Sequence, residues 1–124
     1  MTKFFIAEDD QLMSRMYERA FRLSGYEPII VHDGEEALKK LGEMNPKPNV
    51  IILDVMMPKI SGFDVLAKIK QDSTLKNIPT VILTNLASKE DGEKALALGA
   101  ALYLIKSDYN PRQVVEKVAA LSST

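Results

Sequence analysis

Short apolar runs alternate with longer amphipathic segments along this chain. Five runs rich in Ile, Val, Leu and Phe predict β-strands at about 3–8, 27–31, 50–54, 79–84 and 102–106. Between them, apolar side chains recur at the spacing of a helix that buries one face. This alternation predicts a parallel sheet covered by helices on both faces. We expect residues 1–124 to form one such domain.

The helical segments carry residues that favour helix ends. After the first strand, four residues at helical spacing predict the apolar stripe of the first helix: Leu12, Met16, Ala20 and Leu23. Gly25 is predicted to end this helix. The other four helices are predicted to begin near Gly34, Gly62, Ser88 and Asn110.

Composition and charge narrow the class of protein. A hydrophobic content of 46% and a charged content of 27% are typical of a soluble globular domain. The net charge of −1 and the absence of a basic run argue against direct contact with nucleic acid or an anionic membrane. Without cysteine there is no disulfide and no thiolate metal site, and we expect a cytoplasmic location. No apolar stretch is long enough for a signal peptide or a membrane span.

Polar side chains follow four of the five predicted strands. The acidic run Glu8–Asp10 follows the first strand, and Asp54 closes the third. Thr84 closes the fourth strand, and Lys106 closes the fifth. The carboxyl ends of parallel strands lie along one edge of a sheet, where α/β proteins bind their ligands. We therefore expect acids, a hydroxyl and an amine to converge on one site.

These residues stand in motifs that resemble the receiver domain of two-component response regulators, the family of the chemotaxis regulator CheY. The motifs are Ile6–Asp10, Ile52–Pro58, Ser61–Gly62, Ile82–Thr84 and Tyr103–Lys106. Each motif alone is weak, but five in this order, each near a predicted strand end, are specific. The resemblance covers essentially the whole chain. It implies a flavodoxin-like, doubly wound (βα)₅ fold with five parallel strands in the order 2-1-3-4-5.

The resemblance also implies that Asp54 accepts a phosphoryl group. A carboxylate can attack phosphorus to give an acyl phosphate, and a divalent cation offsets the repulsion between the two anions. By resemblance, Asp9, Asp54 and the backbone carbonyl of Met56 bind the metal directly, whereas Glu8 binds it through water. Such hard oxygen ligands suit Mg²⁺, with Mn²⁺ as an alternative.

Three further residues receive roles from the resemblance. Lys106 is expected to pair with Asp54 or its phosphoryl group, and Thr84 to turn its hydroxyl towards the phosphoryl oxygens. Both belong with Asp54 to the catalytic set. Thr84 and Tyr103 are expected to form the switch. Tyr103 would move inward with the Thr84 hydroxyl and carry the signal to the face formed by helix 4, strand 5 and helix 5.

Four other residues are expected to lie outside the metal-binding and catalytic set. Asp10 is predicted to cap the first helix and not to bind metal. His32, the single histidine, is predicted to lie in a solvated loop away from the site. Asn85 stands where the family usually has a very small residue and should crowd or hydrogen-bond the approach to the acceptor. Ser107 replaces the family's usual proline, and we expect a trans bond before it, because a non-proline cis bond costs about 2.5–4 kcal/mol.

The expected function is a phosphorylation-dependent signalling switch. It would accept a phosphoryl group from a sensor histidine kinase or a histidine phosphotransfer protein in a Mg²⁺-dependent reaction. Phosphorylation would then control contact with a downstream protein target or an output domain. The chain would be a monomer or a phosphorylation-dependent homodimer, and it would catalyse only its own phosphorylation and dephosphorylation.

Three alternatives explain less of the sequence. A pseudo-receiver that only binds partners would usually have lost one of the acids, the hydroxyl or the lysine. An FMN-binding flavodoxin-like protein needs a phosphate-binding loop after its first strand, where this chain places three acids. A Mg²⁺ phosphohydrolase would carry its nucleophile on the first strand and would need extra elements to enclose a substrate. The acidic run alone could also reflect favourable helix-start electrostatics.

Overall fold

A computed structural model describes residues 1–122 and confirms the predicted architecture. Its strands are β1 (Lys3–Ala7), β2 (Glu27–Val31), β3 (Val50–Leu53), β4 (Thr80–Thr84) and β5 (Leu102–Ile105). They form one parallel sheet in the order β2-β1-β3-β4-β5. The helices are α1 (Gln11–Leu23), α2 (Gly34–Glu43), α3 (Gly62–Gln71), α4 (Lys89–Ala97) and α5 (Pro111–Ala119). Within residues 1–122, no helix has the length and apolar character needed to cross a membrane.

The sheet is buried on both faces. Phe5 and Ala7 of β1 pack into one core beneath α2, α3 and α4, whereas Phe4 and Ile6 pack into a second core beneath α1 and α5. Successive side chains of a strand point to opposite faces, so a strand buried on both faces is apolar throughout. This explains why the strands appear in the sequence as continuous apolar runs.

Strand pairing brings the residues that follow β1 and β3 side by side. Ala7 pairs with Leu53 in the parallel register of these two strands. The ladder continues one step further, because the Asp54 amide donates to the Ala7 carbonyl at 3.1 Å. Glu8 is held in the same way, with its amide donating to the Val31 carbonyl at 3.0 Å. Glu8 and Asp54 therefore extend from the same sheet edge.

Each of the five α-helices begins with a side chain that accepts a backbone hydrogen bond. The capping residues are Asp10, Asp33, Ser61, Ser88 and Asn110. The predicted caps at Asp10, Ser88 and Asn110 are thereby confirmed. Such a cap stabilises a helix by about 0.5–2 kcal/mol relative to alanine. All five of these helices follow the carboxyl ends of strands, so the caps also fix the loops along this edge of the sheet.

The predicted apolar stripe of α1 is wrong for three of its four residues, and only Ala20 packs against the core. The side chains of Leu12, Met16 and Leu23 are 68%, 41% and 77% exposed. The face that packs on the sheet carries Tyr17 and Phe21. Two sets of apolar residues, offset by one position, compete for the core, and the set with large aromatic rings buries more area. The Phe21 ring lies 4.7 Å from that of Phe4, which fixes the rotation of α1.

Candidate functional site

Three carboxylates meet at the carboxyl edge of the sheet. Glu8, Asp9 and Asp54 each place an oxygen within 4.8 Å of the others. Glu8 and Asp54 are 2% and 6% exposed, whereas Asp9 is open to solvent. Like charges this close repel one another strongly when they are removed from water. The cluster therefore needs positive charge beside it.

Lys106 supplies one such charge. Its Nζ atom lies 2.5 Å from Glu8 Oε1 and 2.6 Å from Asp54 Oδ2, and its side chain is 10% exposed. The pairing with Asp54 agrees with the sequence prediction, whereas the pairing with Glu8 was not predicted. Burial works to lower the pKa of Lys106, but hydrogen bonds and charges from both carboxylates outweigh it and raise that pKa. Lys106 is therefore a fixed cation at neutral pH.

One lysine does not fully compensate two buried acids. Burial raises the pKa of Glu8 above its usual value, although the hydrogen bond and the charge of Lys106 act in the opposite direction. A backbone hydrogen bond from the Asp10 amide to Glu8 Oε2, at 3.1 Å, further favours the charged form. The site thus retains an excess of negative charge that a cation can neutralise.

The loop after β3 holds the Asp54 side chain in one orientation. The Met56 amide donates to Asp54 Oδ1 at 3.3 Å, while Oδ2 accepts from Lys106. The start of α3 closes over this loop, because the Gly62 amide donates to the Val55 carbonyl at 2.9 Å. A Cβ atom at Gly62 would lie only 2.0 Å from the carbonyl oxygen of Asp54. Only glycine permits this approach of the two backbones.

The start of α2 braces the same loop from the other side. A Cβ atom at Gly34 would lie 2.1 Å from the Ile60 carbonyl oxygen. The Lys59 ammonium lies 3.7 Å from the Asp33 carboxylate, and Lys59 adopts a positive φ of 72°. This contact between two loops was not predicted, because a local sequence pattern does not indicate which loops will be in contact in the folded protein.

Thr84 and Tyr103 are connected through Leu86. Thr84 is 1% exposed, and its Oγ1 atom accepts a long hydrogen bond of 3.4 Å from the Leu86 amide. The Tyr103 hydroxyl donates to the Leu86 carbonyl. Asn85, which lies between Thr84 and Leu86 in the sequence, is exposed to solvent. A displacement of the Thr84 hydroxyl can therefore reach the Tyr103 ring through one residue of the β4–α4 loop.

His32 does not lie away from the site, so that prediction is wrong. Its side chain is exposed as expected, but its Nδ1 atom lies 3.1 Å from the carbonyl oxygen of Glu8. The reason is the pairing of β1 with β2, which continues through the Glu8 amide and the Val31 carbonyl. The residue after β2 thereby comes to rest beside the residue after β1.

Tyr17 is a buried residue of α1 whose surroundings the sequence did not reveal. The side chain is 1% exposed, and within residues 1–122 its hydroxyl has no hydrogen-bond partner. Burial raises the pKa of Tyr17 to about 12, and the charges of Lys106, Glu8 and Asp54 also act on it. The stripe predicted for α1 pointed to other residues, so the pattern gave no signal for Tyr17.

A short 3₁₀-helix, Lys106–Asp108, follows β5 and begins at Lys106 itself. The bond between Lys106 and Ser107 is trans, as predicted, since the cis peptide within residues 1–122 is Asn45–Pro46. Tyr109 follows this turn and packs against the core beneath α1 and α5. The backbone thus brings Lys106 to the carboxylates with serine in place of the family's usual proline.

Comparison with known proteins places these features in a family. A family model described as the response regulator receiver domain matches residues 4–119. The transcriptional regulatory protein CpxR of Escherichia coli strain K12 is 33% identical over 121 residues, covering 98% of this chain and 49% of that protein. The chain spans about half the length of the curated relatives it matches.

Solved structures with the same fold include two response regulators. The Mn²⁺-bound form of response regulator Rcp1 has a TM-score of 0.86 and 32% identity, with 97% of this chain and 93% of that chain covered. The chemotaxis response regulator CheY4 of Vibrio cholerae has a TM-score of 0.88 and 30% identity, with 98% of each chain covered. The similarity therefore extends over the whole domain.

Proposed function

Because the chain belongs to the receiver-domain family of two-component response regulators, we propose that it is a switch whose Asp54 carboxylate accepts a phosphoryl group. The observation that carries this proposal is the placement of Asp54. Its carboxylate lies within 4.8 Å of two other acids and 2.6 Å from a lysine ammonium. Glu8 lies in the same cluster and contacts the same ammonium at 2.5 Å, and the place of Asp54 in the family's motif Ile52–Pro58 is what distinguishes it as the acceptor.

The proposed reaction is a direct displacement at phosphorus. An Asp54 oxygen forms a bond to the phosphorus atom, and the donor's bridging oxygen or nitrogen leaves with the electron pair of its bond. The product is an acyl phosphate on Asp54. Lys106 is placed to pair with the new phosphoryl oxygens, since its ammonium already contacts Asp54. The Thr84 hydroxyl, at the end of β4, serves as a donor to the same oxygens.

The acidic residues fit a divalent cation. Glu8, Asp9 and Asp54 offer only hard carboxylate oxygens, and we propose that the Met56 backbone carbonyl completes the set. A bound Mg²⁺ would offset the negative charge on the transferring phosphoryl oxygens. The Mn²⁺-bound form of the relative Rcp1 supports a hard divalent ion here, with Mn²⁺ as the alternative. Asp10 is left out because its carboxylate caps α1.

Neighbouring acids should therefore differ in their effect on cation binding. We expect Asp9→Asn to weaken Mg²⁺ binding by at least about tenfold, the loss seen when even an outer partner of a metal site is removed. Asp10→Asn keeps a good helix cap and removes only an exposed charge, so we expect less than about a threefold effect. Isothermal titration of both variants with Mg²⁺ measures this difference. The reverse order of affinities would contradict the assignment of Asp9 as a ligand.

Signal output is proposed to begin at Thr84. If its hydroxyl turns to a phosphoryl oxygen, the 3.4 Å hydrogen bond from the Leu86 amide is lost, and Leu86 also holds the Tyr103 hydroxyl. Tyr103 would then shift and alter the surface formed by α4, β5 and α5. This surface would contact the downstream protein target or output domain. The phosphoryl group would come from a sensor histidine kinase or a histidine phosphotransfer protein.

Removing the Thr84 hydroxyl should separate the chemistry from the switch. We expect Thr84→Ala to accept a phosphoryl group but to lose the phosphorylation-dependent shifts around Tyr103 in ¹H–¹⁵N NMR spectra. Thr74→Ala, which removes an exposed hydroxyl bonded to Asp72, is the control and should keep those shifts. A Thr84→Ala spectrum that changes on phosphorylation in the same way as the wild type would exclude Thr84 from the switch.

Intact-mass spectrometry tests the proposed function. We expect the wild-type chain to gain the mass of one phosphoryl group on incubation with acetyl phosphate and Mg²⁺, and to gain none after chelation of the metal. The adduct should be stable in acid and labile in base, as an acyl phosphate is. The absence of this adduct with Mg²⁺ present would favour the alternative of a pseudo-receiver that acts only as an interaction module.

A further inference from the structure

One residue in the loop after β3 has a strained backbone. Lys59 has a φ of 72°, and no other non-glycine residue within residues 1–122 has a positive φ. The Ile60 amide donates to the Pro58 carbonyl at 2.9 Å, so residues 58–60 form a γ-turn of the rare, strained kind with a positive φ at its centre. Glycine adopts such a φ without steric conflict, whereas a residue with a Cβ atom keeps it only where its surroundings hold it. The strain at Lys59 therefore calls for an explanation.

The start of α2 holds this γ-turn through each of its three residues. The Pro58 carbonyl accepts a second hydrogen bond, from the Gly34 amide at 3.4 Å. The Lys59 ammonium lies 3.7 Å from the Asp33 carboxylate. Gly34 lies so close to the third residue that a Cβ atom on it would be 2.1 Å from the Ile60 carbonyl oxygen. The Lys59 side chain is 56% exposed, so the ion pair is one of several contacts that hold the turn and not the dominant one.

The same end of α2 also contacts the loop after β1. Asp33 caps α2 by accepting from the Glu36 amide at 2.7 Å, and the Glu36 carboxylate accepts from the His32 amide at 2.9 Å. The His32 Nδ1 atom lies 3.1 Å from the Glu8 carbonyl oxygen. Residues 32–36 thus connect Glu8 with the γ-turn in the loop after β3. These are the two loops that carry the acids of the cluster.

Met56 lies between two fixed points of the loop after β3. On one side, the Val55 carbonyl accepts from the Gly62 amide at 2.9 Å. On the other side, the Pro58 carbonyl accepts from the start of α2. Between these points the Met56 amide donates to Asp54 Oδ1 at 3.3 Å. Because only two residues separate Val55 from Pro58, the γ-turn sets the course of the backbone at Met56, whose carbonyl is one of the proposed metal ligands.

We propose that Lys59 is a positioning residue for the cation site, because its strained turn, held against α2, keeps the Met56 backbone beside Asp54. This inference rests on the proposed metal site at Glu8, Asp9, Asp54 and the Met56 carbonyl. Strained residues cluster at ligand clamps, where the surrounding structure maintains them and the strain pre-organises the site. The fold loses some stability at Lys59, and a cation then meets a loop that it does not need to order. Stability and cation affinity should therefore respond to Lys59 in opposite directions.

The test uses two substitutions at Lys59 and one at a lysine outside the site. Lys59→Gly relieves the strain and removes the contact with Asp33, whereas Lys59→Arg keeps both the Cβ atom and the positive charge. Lys76→Gly is the matched control, because Lys76 is exposed in a turn after α3 and its φ is not positive. Mg²⁺ affinity is measured by isothermal titration, and stability without Mg²⁺ by urea unfolding. The Met56 amide signal in ¹H–¹⁵N NMR spectra reports on the loop itself.

We expect Lys59→Gly to bind Mg²⁺ about fivefold more weakly, the size of effect expected when binding must order a short loop. Its urea midpoint without Mg²⁺ should equal or exceed that of the wild type, because relief of strain offsets the greater freedom of glycine in the unfolded chain. The Met56 amide signal should shift in Lys59→Gly and stay at its wild-type position in Lys76→Gly. Lys59→Arg should keep the wild-type affinity and the wild-type signal.

Three results would overturn the proposal. Wild-type Mg²⁺ affinity in Lys59→Gly would show that the turn does not position the site. A lower urea midpoint together with a lower affinity in Lys59→Gly would show that Lys59 supports the fold as a whole. An equal loss of affinity in Lys76→Gly would assign the effect to chain flexibility in general and not to this turn.

These readouts do not depend on phosphorylation. If the wild type binds Mg²⁺ but gains no phosphoryl group from acetyl phosphate, the proposed function fails, while the role of Lys59 is still decided by affinity, stability and the Met56 signal. If the wild type binds no Mg²⁺ at all, the metal site fails, and the proposal for Lys59 fails with it.

Discussion

Gly62→Ala is expected to destabilise the domain by more than about 4 kcal/mol. Few single substitutions cost this much stability, and a clash between backbones is one cause of such a loss. The added Cβ atom would lie 2.0 Å from the Asp54 carbonyl oxygen, 2.7 Å from its carbon and 2.9 Å from the Val55 Cα atom. All three are backbone atoms, so no side-chain rotation relieves the clash. To fit the methyl group, the start of α3 and the loop after β3 must separate. Even a folded variant would therefore displace Asp54.

Gly42→Ala is the matched control for this substitution. Gly42 lies in α2, and a Cβ atom there would have no neighbour within 4 Å. Alanine favours a helix interior over glycine by about 0.5–1 kcal/mol, so this variant should be slightly more stable than the wild type. Urea unfolding followed by circular dichroism measures both. A Gly62→Ala variant with wild-type stability would show that the two backbones do not approach as closely as described.

Lys106→Met is expected to destabilise the domain by about 3 kcal/mol at neutral pH, because removing one partner of a buried ion pair leaves the other charge uncompensated. Here the lysine serves two carboxylates, Glu8 and Asp54. The pKa of Glu8 is already raised by burial in the wild type, and loss of the lysine would raise it further. A carboxyl group whose pKa is raised in the folded state stabilises the fold at low pH. That stabilisation is lost as the pH rises through the raised pKa. The loss of stability should therefore shrink on acidification.

A double mutant and an exposed lysine provide the controls for Lys106→Met. Adding Glu8→Gln to Lys106→Met removes one of the two uncompensated charges and should recover part of the lost stability. Lys89→Met, at a side chain that is 88% exposed, should change stability by less than about 0.5 kcal/mol. Equal unfolding free energies for Lys106→Met and Lys89→Met would mean that the buried ion pairs contribute nothing.

The sequence was sufficient for most of the fold because the fold is built from local patterns. Strands buried on both faces must be apolar throughout, and helices must begin with capping side chains such as Asp10 and Asn110. The rotation of α1 escaped prediction because two apolar sets, one with Leu12 and one with Tyr17, satisfy the same helical period. Only packing against Phe4 decides between them.

The sequence predicted those residues of the site that lie at the ends of strands. Glu8, Asp54 and Lys106 follow β1, β3 and β5, and parallel pairing brings them together. Several close contacts around the site were missed. They include the His32 ring at the Glu8 carbonyl and the approach of Gly62 to Asp54. Each depends on strand register or loop shape, which no single stretch of sequence records.

Chemical mapping of the modified residue tests the central claim most directly. The wild-type chain is incubated with acetyl phosphate and Mg²⁺ and is then treated with borohydride, which reduces an aspartyl phosphate to homoserine. Peptide mass spectrometry locates the change, and Asp54→Ala treated in the same way is the control. We expect homoserine in place of Asp54 in the wild type and no reduced residue in the variant. Homoserine at another position, or an equal yield in Asp54→Ala, would contradict the assignment of Asp54 as the phosphoryl acceptor.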